Sequence, residues 1–276
     1  MMFAQPRTGE EQQLLSTIEP RMHSARIAEL LHPYLSPTSN ACHSEQGRRP
    51  CEEPAVLSAA QLQSISTYID ILLHWNTRIN LTAIRSEEEI VTRHFGESLF
   101  TARHLFPLYP VSSSLPPVPP VVKDFDVDLP EARSPKAEAR VADLGSGPGF
   151  PGVPIKIWAL NIALTLIESN QKKATFLREL ARALTLTDIN IQNARAETLP
   201  SSTFDVVTLR AVERLPNVLP VAVALLAPKG RLALLISSSQ LEPTRSTVPN
   251  LMWDRPIPIP NSQSRILLVG QVEPRI

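Results

Sequence analysis

The stretch 139–154, ARVADLGSGPGFPGVP, constrains the fold more than any other part of the chain. Apolar residues typical of a strand lead into four closely spaced glycines, and an amphipathic helix is predicted to follow as far as Leu160. The chain has only 9 glycines, so their concentration here indicates a special backbone. Glycines let the chain turn sharply and approach a ligand closely, and the first N–H groups of a helix lack partners within it. The stretch therefore predicts a nucleotide-binding loop.

An acid, Asp143, stands two residues before the first of these glycines. A dinucleotide-binding loop has the spacing G-x-G-x-x-G, which the glycines here only approximate. Asp143 is placed to brace the loop and would repel a pyrophosphate, which favours S-adenosylmethionine over NAD. The next predicted strand ends at Glu168, whose carboxylate can accept hydrogen bonds from ribose hydroxyls. An acid at this position suits either cofactor and does not discriminate between them.

After the loop, apolar runs typical of strands alternate with segments of helical periodicity. The predicted strands are 162–167, 189–191, 204–209, 231–236 and 265–270, and the predicted helices are 171–184 and 215–226. This alternation predicts an α/β fold with a doubly wound sheet, in which ligands bind at the carboxyl ends of the strands. Four charged residues fall at or just past such ends and are predicted to converge on one crevice: Asp143, Glu168, Glu197 and Arg210.

The first half of the chain alternates helical and low-complexity segments. Capping boxes are predicted at Ser58 with Gln61 and at Ser86 with Glu89, each ahead of apolar residues at helical spacing. Polar and Pro-rich stretches cannot bury enough apolar surface to offset their ordering entropy. The predicted divisions are an N-terminal extension (1–24), a helical subdomain (25–106) with a polar insertion (36–54), a Pro-rich linker (107–138) and a cofactor domain (139–276).

The segment between the two capping boxes has two interpretations. Four of its residues would suit contact with RNA: Trp75, Asn76, Asn80 and Thr82. In the other interpretation Trp75 is a buried aromatic anchor, and Asn80 and Thr82 hydrogen-bond a tight turn between helices. The structural interpretation is favoured. Further on, His94 lies on an apolar face with no second ligand at metal spacing, so it is predicted to be a core histidine and not part of a metal site.

Composition excludes several classes of protein. With 27 basic and 27 acidic residues the net charge is zero, so any nucleic-acid surface has to be a local patch. No apolar run approaches the roughly 20 residues of a membrane span. The N-terminus lacks a secretion signal, and the 2 cysteines form no metal-ligand set. A cytoplasmic protein, expected to be a monomer, without membrane or metal partners is predicted.

Five motifs occur in order along the chain and carry a resemblance to one family. They are W-N-x3-N-L-T-A-I from Trp75, D-L-G-S-G-P-G-F-P-G from Asp143, E-S-x2-K-K-x2-F-L from Glu168, R-A-E from Arg195 and R-A from Arg210. The chain resembles the bacterial methyltransferase G family of small-subunit ribosomal RNA, also called glucose-inhibited division protein B. That family uses S-adenosylmethionine to methylate N7 of a guanine in 16S rRNA. The resemblance implies a Rossmann-like methyltransferase sheet preceded by a small helical subdomain, and the small ribosomal subunit as partner.

The resemblance also implies roles for individual residues. Cofactor contacts are expected from Asp143, Gly145, Ser146, Gly147, Gly149, Phe150, Glu168, Ala196, Glu197 and Arg210. Arg210 is the catalytic candidate, placed near the methionine carboxylate or an rRNA phosphate, with an ion pair to a sheet-edge acid as the alternative. RNA contacts are expected from Arg78, Arg85, Arg93, Lys172 and Lys173, although the two lysines could equally be solvated helix charges.

Three functions stay open at this point. Guanine N7 carries an unprotonated lone pair, so a methyltransferase acting there needs no general base, and none is evident near the loop. An NAD-dependent oxidoreductase is disfavoured by Asp143 and by the lack of a catalytic Tyr/Lys or His pair. A non-catalytic rRNA-binding or assembly protein is the third possibility, because 237–239 reads Ser-Ser-Ser where the family commonly shows Lys-Gly. Glu97 and Leu209 also depart from the family's usual aspartate and serine.

Overall fold

The structure, a computed structural model, describes residues 22–36, 55–107, 137–211 and 214–273. The predicted N-terminal extension, polar insertion and Pro-rich linker lie almost entirely outside these ranges, as do Cys42 and Cys51. The proposed domain divisions therefore stay predictions. Among the described helices, none combines the length and the apolar character that a membrane span requires.

The described strands form one mixed sheet. Their bounds are β1 Ala139–Leu144, β2 Ile162–Ile167, β3 Ile189–Gln192, β4 Phe204–Arg210, β5 Leu226–Ser237, β6 Leu251–Trp253, β7 Ile257–Pro258 and β8 Arg265–Val272. The order is β3-β2-β1-β4-β5-β8-β6, with β7 paired to β8. Strands β1 to β5 run parallel, whereas β8 is antiparallel to both β5 and β6. The predicted doubly wound α/β fold is confirmed, because β1 to β5 follow the order of a nucleotide-binding sheet.

Helices cover both faces of this sheet. Their bounds are α1 Ser24–Leu35, α2 Ala59–Asn76, α3 Glu87–Glu89, α4 Glu97–Leu105, α5 Gly152–Trp158, α6 Gln171–Ala183, α7 Leu215–Leu225 and α8 Leu241–Thr247. A π-helical segment, Ile90–Gly96, joins α3 to α4. The sequence does not predict α8, β6 or β7, because elements of 7, 3 and 2 residues are too short to show a hydrophobic period.

One of the two predicted capping boxes forms. Ser58 Oγ accepts from the backbone N–H of Gln61, and the side chain of Gln61 accepts from the backbone N–H of Ser58. The prediction at Ser86 is wrong, since its side chain makes no capping hydrogen bond. The Glu89 carboxylate instead accepts from Arg93, one turn later, at 2.9 Å.

The predicted extent of the helix after the glycine loop is also wrong. α5 ends at Trp158, and Leu160 is 60% exposed instead of lying on the buried face. The buried Lys156 ammonium donates to the carbonyls of Leu160 and Ile162 at 2.6 and 2.7 Å, which turns the chain directly into β2. This local contact, absent from the hydrophobic pattern, ends the helix early.

The turn after α2 is held by side-chain hydrogen bonds, as the structural interpretation predicts. Asn76, and not Asn80, makes the central ones: its Oδ1 accepts from the N–H groups of Leu81 and Thr82 at 2.9 and 3.1 Å. Thr82 Oγ1 accepts from the N–H of Ile84 at 3.1 Å. The segment is therefore a structural turn.

The N-terminal helices share one hydrophobic core with a face of the sheet. Tyr68 of α2 is fully buried, stacks on Phe150 with ring centroids 5.1 Å apart, and donates its hydroxyl to the carbonyl of Pro148. Phe95 meets the same ring edge-on at 5.2 Å. Because Pro148 and Phe150 belong to the glycine-rich stretch, this helical layer fixes the position of the loop.

Candidate functional site

The glycine-rich loop begins at the carboxyl end of β1. The N–H groups of Gly145 and Ser146 both donate to the carbonyl of Ile167, at 2.9 and 3.1 Å, which ties the loop to the end of β2. Ser146 Oγ donates back to the carbonyl of Asp143 at 2.8 Å. The loop is therefore anchored to two neighbouring strands before it turns into α5.

The glycines of this loop have different roles. Gly147 has φ +54°, and a Cβ there would meet nothing closer than the carbonyl oxygen of Gly145 at 3.8 Å. At Gly149 a Cβ would lie 2.6 Å from the Tyr68 hydroxyl, and at Gly152 it would lie 2.9 Å from Asp143 Oδ2. Gly149 and Gly152 are thus required by packing within the protein. Gly147 alone of these three leaves room for a ligand beside the backbone.

Asp143 holds the glycine-rich stretch in place through hydrogen bonds, as predicted. Its side chain is fully buried, and its Oδ1 accepts from the Thr208 hydroxyl at 2.8 Å while Oδ2 accepts from the Gly152 N–H at 3.2 Å. Burial raises the pKa of Asp143 to about 6, opposed by these hydrogen bonds. Any effect of Asp143 on a cofactor therefore passes through the loop that it holds.

Glu168 links the loop to the turn after β3. Its Oε2 accepts from the Gly147 N–H at 2.9 Å and its Oε1 from the Asn170 N–H at 2.8 Å. Asn193 Nδ2 donates to the Glu168 carbonyl at 2.9 Å, which draws the turn carrying Ala196 toward the same edge of the sheet. A carboxylate oxygen that accepts one hydrogen bond keeps a second lone pair for a hydroxyl.

These features fit S-adenosylmethionine. A Cβ at Gly147 would meet only the Gly145 carbonyl oxygen, at 3.8 Å, and the Glu168 carboxylate accepts from the N–H of Gly147. Glycine backbone can approach a ligand more closely than any other residue, and a carboxylate at the end of the second strand matches the diol of a ribose. Among the described residues no group of three His, Cys, Asp or Glu side chains is placed to hold a metal ion.

Arg210, at the end of β4, is buried in a second cluster. Its Nη1 lies 2.8 Å from His94 Nδ1, and its Nη2 donates to the carbonyl of Arg93 at 2.8 Å and to Glu97 Oε2 at 3.0 Å. Arg265 Nη2 lies 2.9 Å from the same Glu97 oxygen. The side chains of Arg210 and Glu97 are only 7% and 4% exposed. An ion pair at Arg210 is therefore present, although its acid lies on α4 and not at the sheet edge.

His94 is an uncharged member of this cluster. An arginine only donates hydrogen bonds, so His94 Nδ1 must accept from Arg210, which leaves the ring proton on Nε2, 2.8 Å from Thr82 Oγ1. Burial, together with the charges of Arg210, Arg93 and Arg265, lowers the pKa of His94 to about 3. The ring also stacks on Phe150 at 4.6 Å. His94 thus connects the cluster to the glycine loop without adding charge.

Comparison with known proteins identifies the family. The sequence model of the family described as rRNA small subunit methyltransferase G matches residues 61–107 and 129–250, from α2 through α8. The chain belongs to this family. The match includes the glycine loop, Glu168, Arg210 and most of the helical layer.

Individual proteins of the methyltransferase G family are also similar to this chain. The three relatives described here are each named ribosomal RNA small subunit methyltransferase G. The protein of Xylella fastidiosa strain 9a5c is 36% identical over 60% of this chain and 64% of its own length. That of Bacillus pumilus strain SAFR-032 is 32% identical over 71% of this chain and 72% of its own length. That of Streptococcus pyogenes serotype M5 is 29% identical over 79% of this chain and 86% of its own length.

In this member of the methyltransferase G family, the predicted site residues do not form one contact group. Those of the loop and Glu168 contact one another around Gly147. Phe150 is buried between Tyr68 and His94 instead of facing an open surface. Glu197 is exposed. Arg210 belongs to the separate charged cluster on the neighbouring strand.

The residues predicted to contact RNA differ in their exposure and in the partners that they already have within the protein. Arg85 donates to the Asn76 carbonyl at 3.1 Å, and Arg93 is paired with Glu89. Arg78 and Lys172 are exposed, and Lys173 is half-buried. Their binding to RNA stays a prediction.

Sequence reasoning missed the partners of Arg210. His94 and Glu97 precede it by 116 and 113 residues, so no local pattern connects them. The π-helical turn that presents the Arg93 carbonyl and the His94 ring to Arg210 is likewise invisible in the sequence. Such turns are frequent at functional sites.

We expect His94→Gln to alter the pH dependence of stability. Histidine titrates near 6.5 when unfolded, whereas in the folded protein its pKa is about 3. The stability that depends on the neutral ring is therefore complete above pH about 6.5 and is lost as the pH falls toward 3. The variant has no such titration, so its deficit in unfolding free energy relative to wild type should shrink on acidification. Urea unfolding at a series of pH values measures this deficit.

The variant has to be compared with wild type because Asp143 changes the free energy of unfolding with pH in the opposite direction. Its raised pKa of about 6 makes its contribution complete at low pH and lost as the pH rises through that value. Both proteins contain Asp143, so its contribution cancels in the difference. A deficit that stays constant from pH about 7 to about 4 would show that His94 is not held neutral.

Proposed function

We propose that this chain transfers the methyl group of S-adenosylmethionine to N7 of a guanine in 16S rRNA of the small ribosomal subunit. Membership of the methyltransferase G family supports the reaction class. The observation that carries the proposal further is the loop around Gly147, where room for an atom beside a left-handed glycine, the exposed Gly145 and the Glu168 carboxylate occur together. This arrangement suits a ribose-containing cofactor.

The residues that would hold the cofactor are those of the loop and of the two following strand ends. Gly145, Ser146 and Gly147 would face it with backbone, Glu168 would accept from its ribose hydroxyls, and the turn at 196–197 would lie beside the adenine. S-adenosylmethionine, when bound, supplies an electrophilic methyl group on its sulfonium. Asp143 and Tyr68 keep the loop in place and are positioning residues.

The chain's own contribution to the reaction is the alignment of the two reactants. Guanine N7 is an acceptor with a free lone pair, so no proton has to be removed before it attacks the methyl group. The histidine nearest the loop, His94, has both ring nitrogens engaged and a pKa of about 3, which does not suit a general base at neutral pH. Holding two reactants in line can contribute on the order of 7 to 11 kcal/mol.

Transfer of labelled methyl groups tests the proposal. Small subunits and protein-free 16S rRNA from a strain lacking this modification would be incubated with the full chain and labelled S-adenosylmethionine. Cleavage chemistry specific for N7-methylguanine would then map the product. One strong stop is the expected result.

Other outcomes would favour the remaining hypotheses. Binding of S-adenosylmethionine without transfer would favour a non-catalytic role in assembly. Binding of NAD in preference to S-adenosylmethionine would favour an oxidoreductase, contrary to the family match. A label found on another atom would keep the reaction class and overturn the choice of N7.

A further inference from the structure

The cluster at Arg210 carries an excess of positive charge. A single oxygen, Glu97 Oε2, accepts a hydrogen bond from Arg210 at 3.0 Å and forms an ion pair with Arg265 Nη2 at 2.9 Å. His94 is neutral and contributes no compensation. One carboxylate balances one of two guanidinium groups, and the second charge lies in a largely buried environment. A buried charge without a counter-ion costs free energy unless an anion binds beside it and pairs with it.

A cavity adjoins this cluster. Its volume is about 320 Å³, and the ends of β4 and β5 and the start of β8 form its walls. Arg93, Arg210 and Arg265 line it together with Ser237, Ser264 and Gln240, and no acidic side chain is among the described lining residues. The Nε atoms of Arg210 and Arg265 are buried without a hydrogen-bond partner among the described residues. The lining is therefore rich in donors and cationic.

The cavity is adjacent to the glycine loop but separate from it. In the sheet, Leu144 is the register partner of Leu209, so the loop and Arg210 follow neighbouring positions on adjacent strands. None of the loop residues and not Glu168 is among the described residues that line the cavity. The glycine loop and the cavity therefore lie at the same carboxyl end of the parallel strands. The loop suits a nucleoside, and the cavity suits an anion.

We propose that this cavity binds a phosphate group of the RNA substrate, with Arg265 as a principal binding residue and Glu97 as a positioning residue. The proposal rests on the proposed function and specifies how the substrate is held. Arginine recognises phosphate oxygens through paired, planar N–H groups, and a shared carboxylate aligns two such groups. Arg265 is 25% exposed, which leaves it accessible from the cavity. Ser237, its register partner on β5, lies at the same level, and its hydroxyl donates to Gln240 Oε1 at 3.1 Å.

Arg265→Ala in the full chain is the direct test. Binding of inorganic phosphate would be measured by calorimetry, and binding of 16S rRNA transcript would be measured over a range of salt concentrations. We expect phosphate affinity to fall about tenfold or more. The slope of log affinity against log salt should fall by about 1, since one phosphate contact is lost. The dissociation constant of S-adenosylmethionine should stay within about twofold of wild type, because the loop is untouched.

Two further variants complete the design. Arg182→Ala removes one exposed positive charge from the last turn of α6, at the opposite edge of the sheet, and should change neither phosphate affinity nor the salt slope. Arg265→Lys keeps the charge but loses the planar fork, so an intermediate phosphate affinity is expected. Circular dichroism would confirm that each variant is folded, and Arg265→Lys remains informative if the alanine variant is not.

Several results would overturn the proposal. The first is that wild type does not bind phosphate. The second is that wild type and Arg265→Ala bind phosphate equally well. The third is that Arg182→Ala loses as much phosphate affinity as Arg265→Ala does. Competition between phosphate and S-adenosylmethionine would reassign the site to the methionine carboxylate. The proposed function fails differently: phosphate binding that depends on Arg265, with no methyl transfer to rRNA, would leave the anion site standing and remove the reaction.

Discussion

Replacing Gly147 by valine is expected to abolish binding of S-adenosylmethionine while the protein stays folded. The residue has φ +54°, a left-handed conformation that costs an L-residue about 1 to 2 kcal/mol and is least favourable for a β-branched side chain. Apart from the adjoining residues, the nearest heavy atom to a Cβ placed there is the Gly145 carbonyl oxygen at 3.8 Å, an ordinary van der Waals distance, so the first added carbon meets no clash. Those atoms would occupy the space that the cofactor needs. Calorimetric titration should show affinity reduced by more than about 100-fold.

Gly149→Ala provides the matched control. Its Cβ would lie 2.6 Å from the Tyr68 hydroxyl and 3.0 Å from a methyl of Val153, so the substitution disturbs packing and not the open side of the loop. We expect it to lower the free energy of unfolding by more than Gly147→Val does. Unchanged affinity of Gly147→Val for S-adenosylmethionine would place the cofactor elsewhere. A loss of stability equal to that of Gly149→Ala would show that Gly147 is a packing residue as well.

Replacing Glu97 by alanine is expected to cost about 3 to 5 kcal/mol of the free energy of unfolding, since it leaves buried guanidinium groups without their carboxylate. Arg210 is 7% exposed and Arg265 25%, so water cannot replace the lost oxygen fully. Urea unfolding monitored by circular dichroism measures the change. Binding of inorganic phosphate should also weaken, because the two arginines lose their alignment.

An exposed pair provides the comparison. Glu89 and Arg93 are joined at 2.9 Å, but their side chains are 46% and 49% exposed. Glu89→Ala should cost less than about 1 kcal/mol, because solvent screens such a pair. If Glu97→Ala were equally mild, the cluster would be solvated and its charge would need no anion. The double variant Glu97→Ala with Arg265→Ala should recover part of the loss, since only one buried cation then remains unpaired.

Local patterns in the sequence account for much of the fold. Glycine spacing after an apolar run places the loop at 145–149, and the capping box at Ser58 starts α2 where predicted. The five parallel strands follow from the alternation of apolar runs and amphipathic segments. Predictions fail where a competing side-chain contact decides: Glu89 bonds Arg93 instead of capping, and Lys156 closes α5 two residues before Leu160.

The loop, the alternation of strands and helices and the position of Glu168 were accessible in the linear chain, because each depends on neighbours within about 30 residues, the length of one βαβ unit. The charged cluster was not accessible. Arg210 meets Glu97 across 113 residues, and Arg265 reaches the same oxygen only because β8 inserts antiparallel beside β5. The different roles of Gly147 and Gly149 likewise depend on where Tyr68 of α2 packs. Contacts of this kind arise only when the sheet order brings distant segments together, and no sequence period records them.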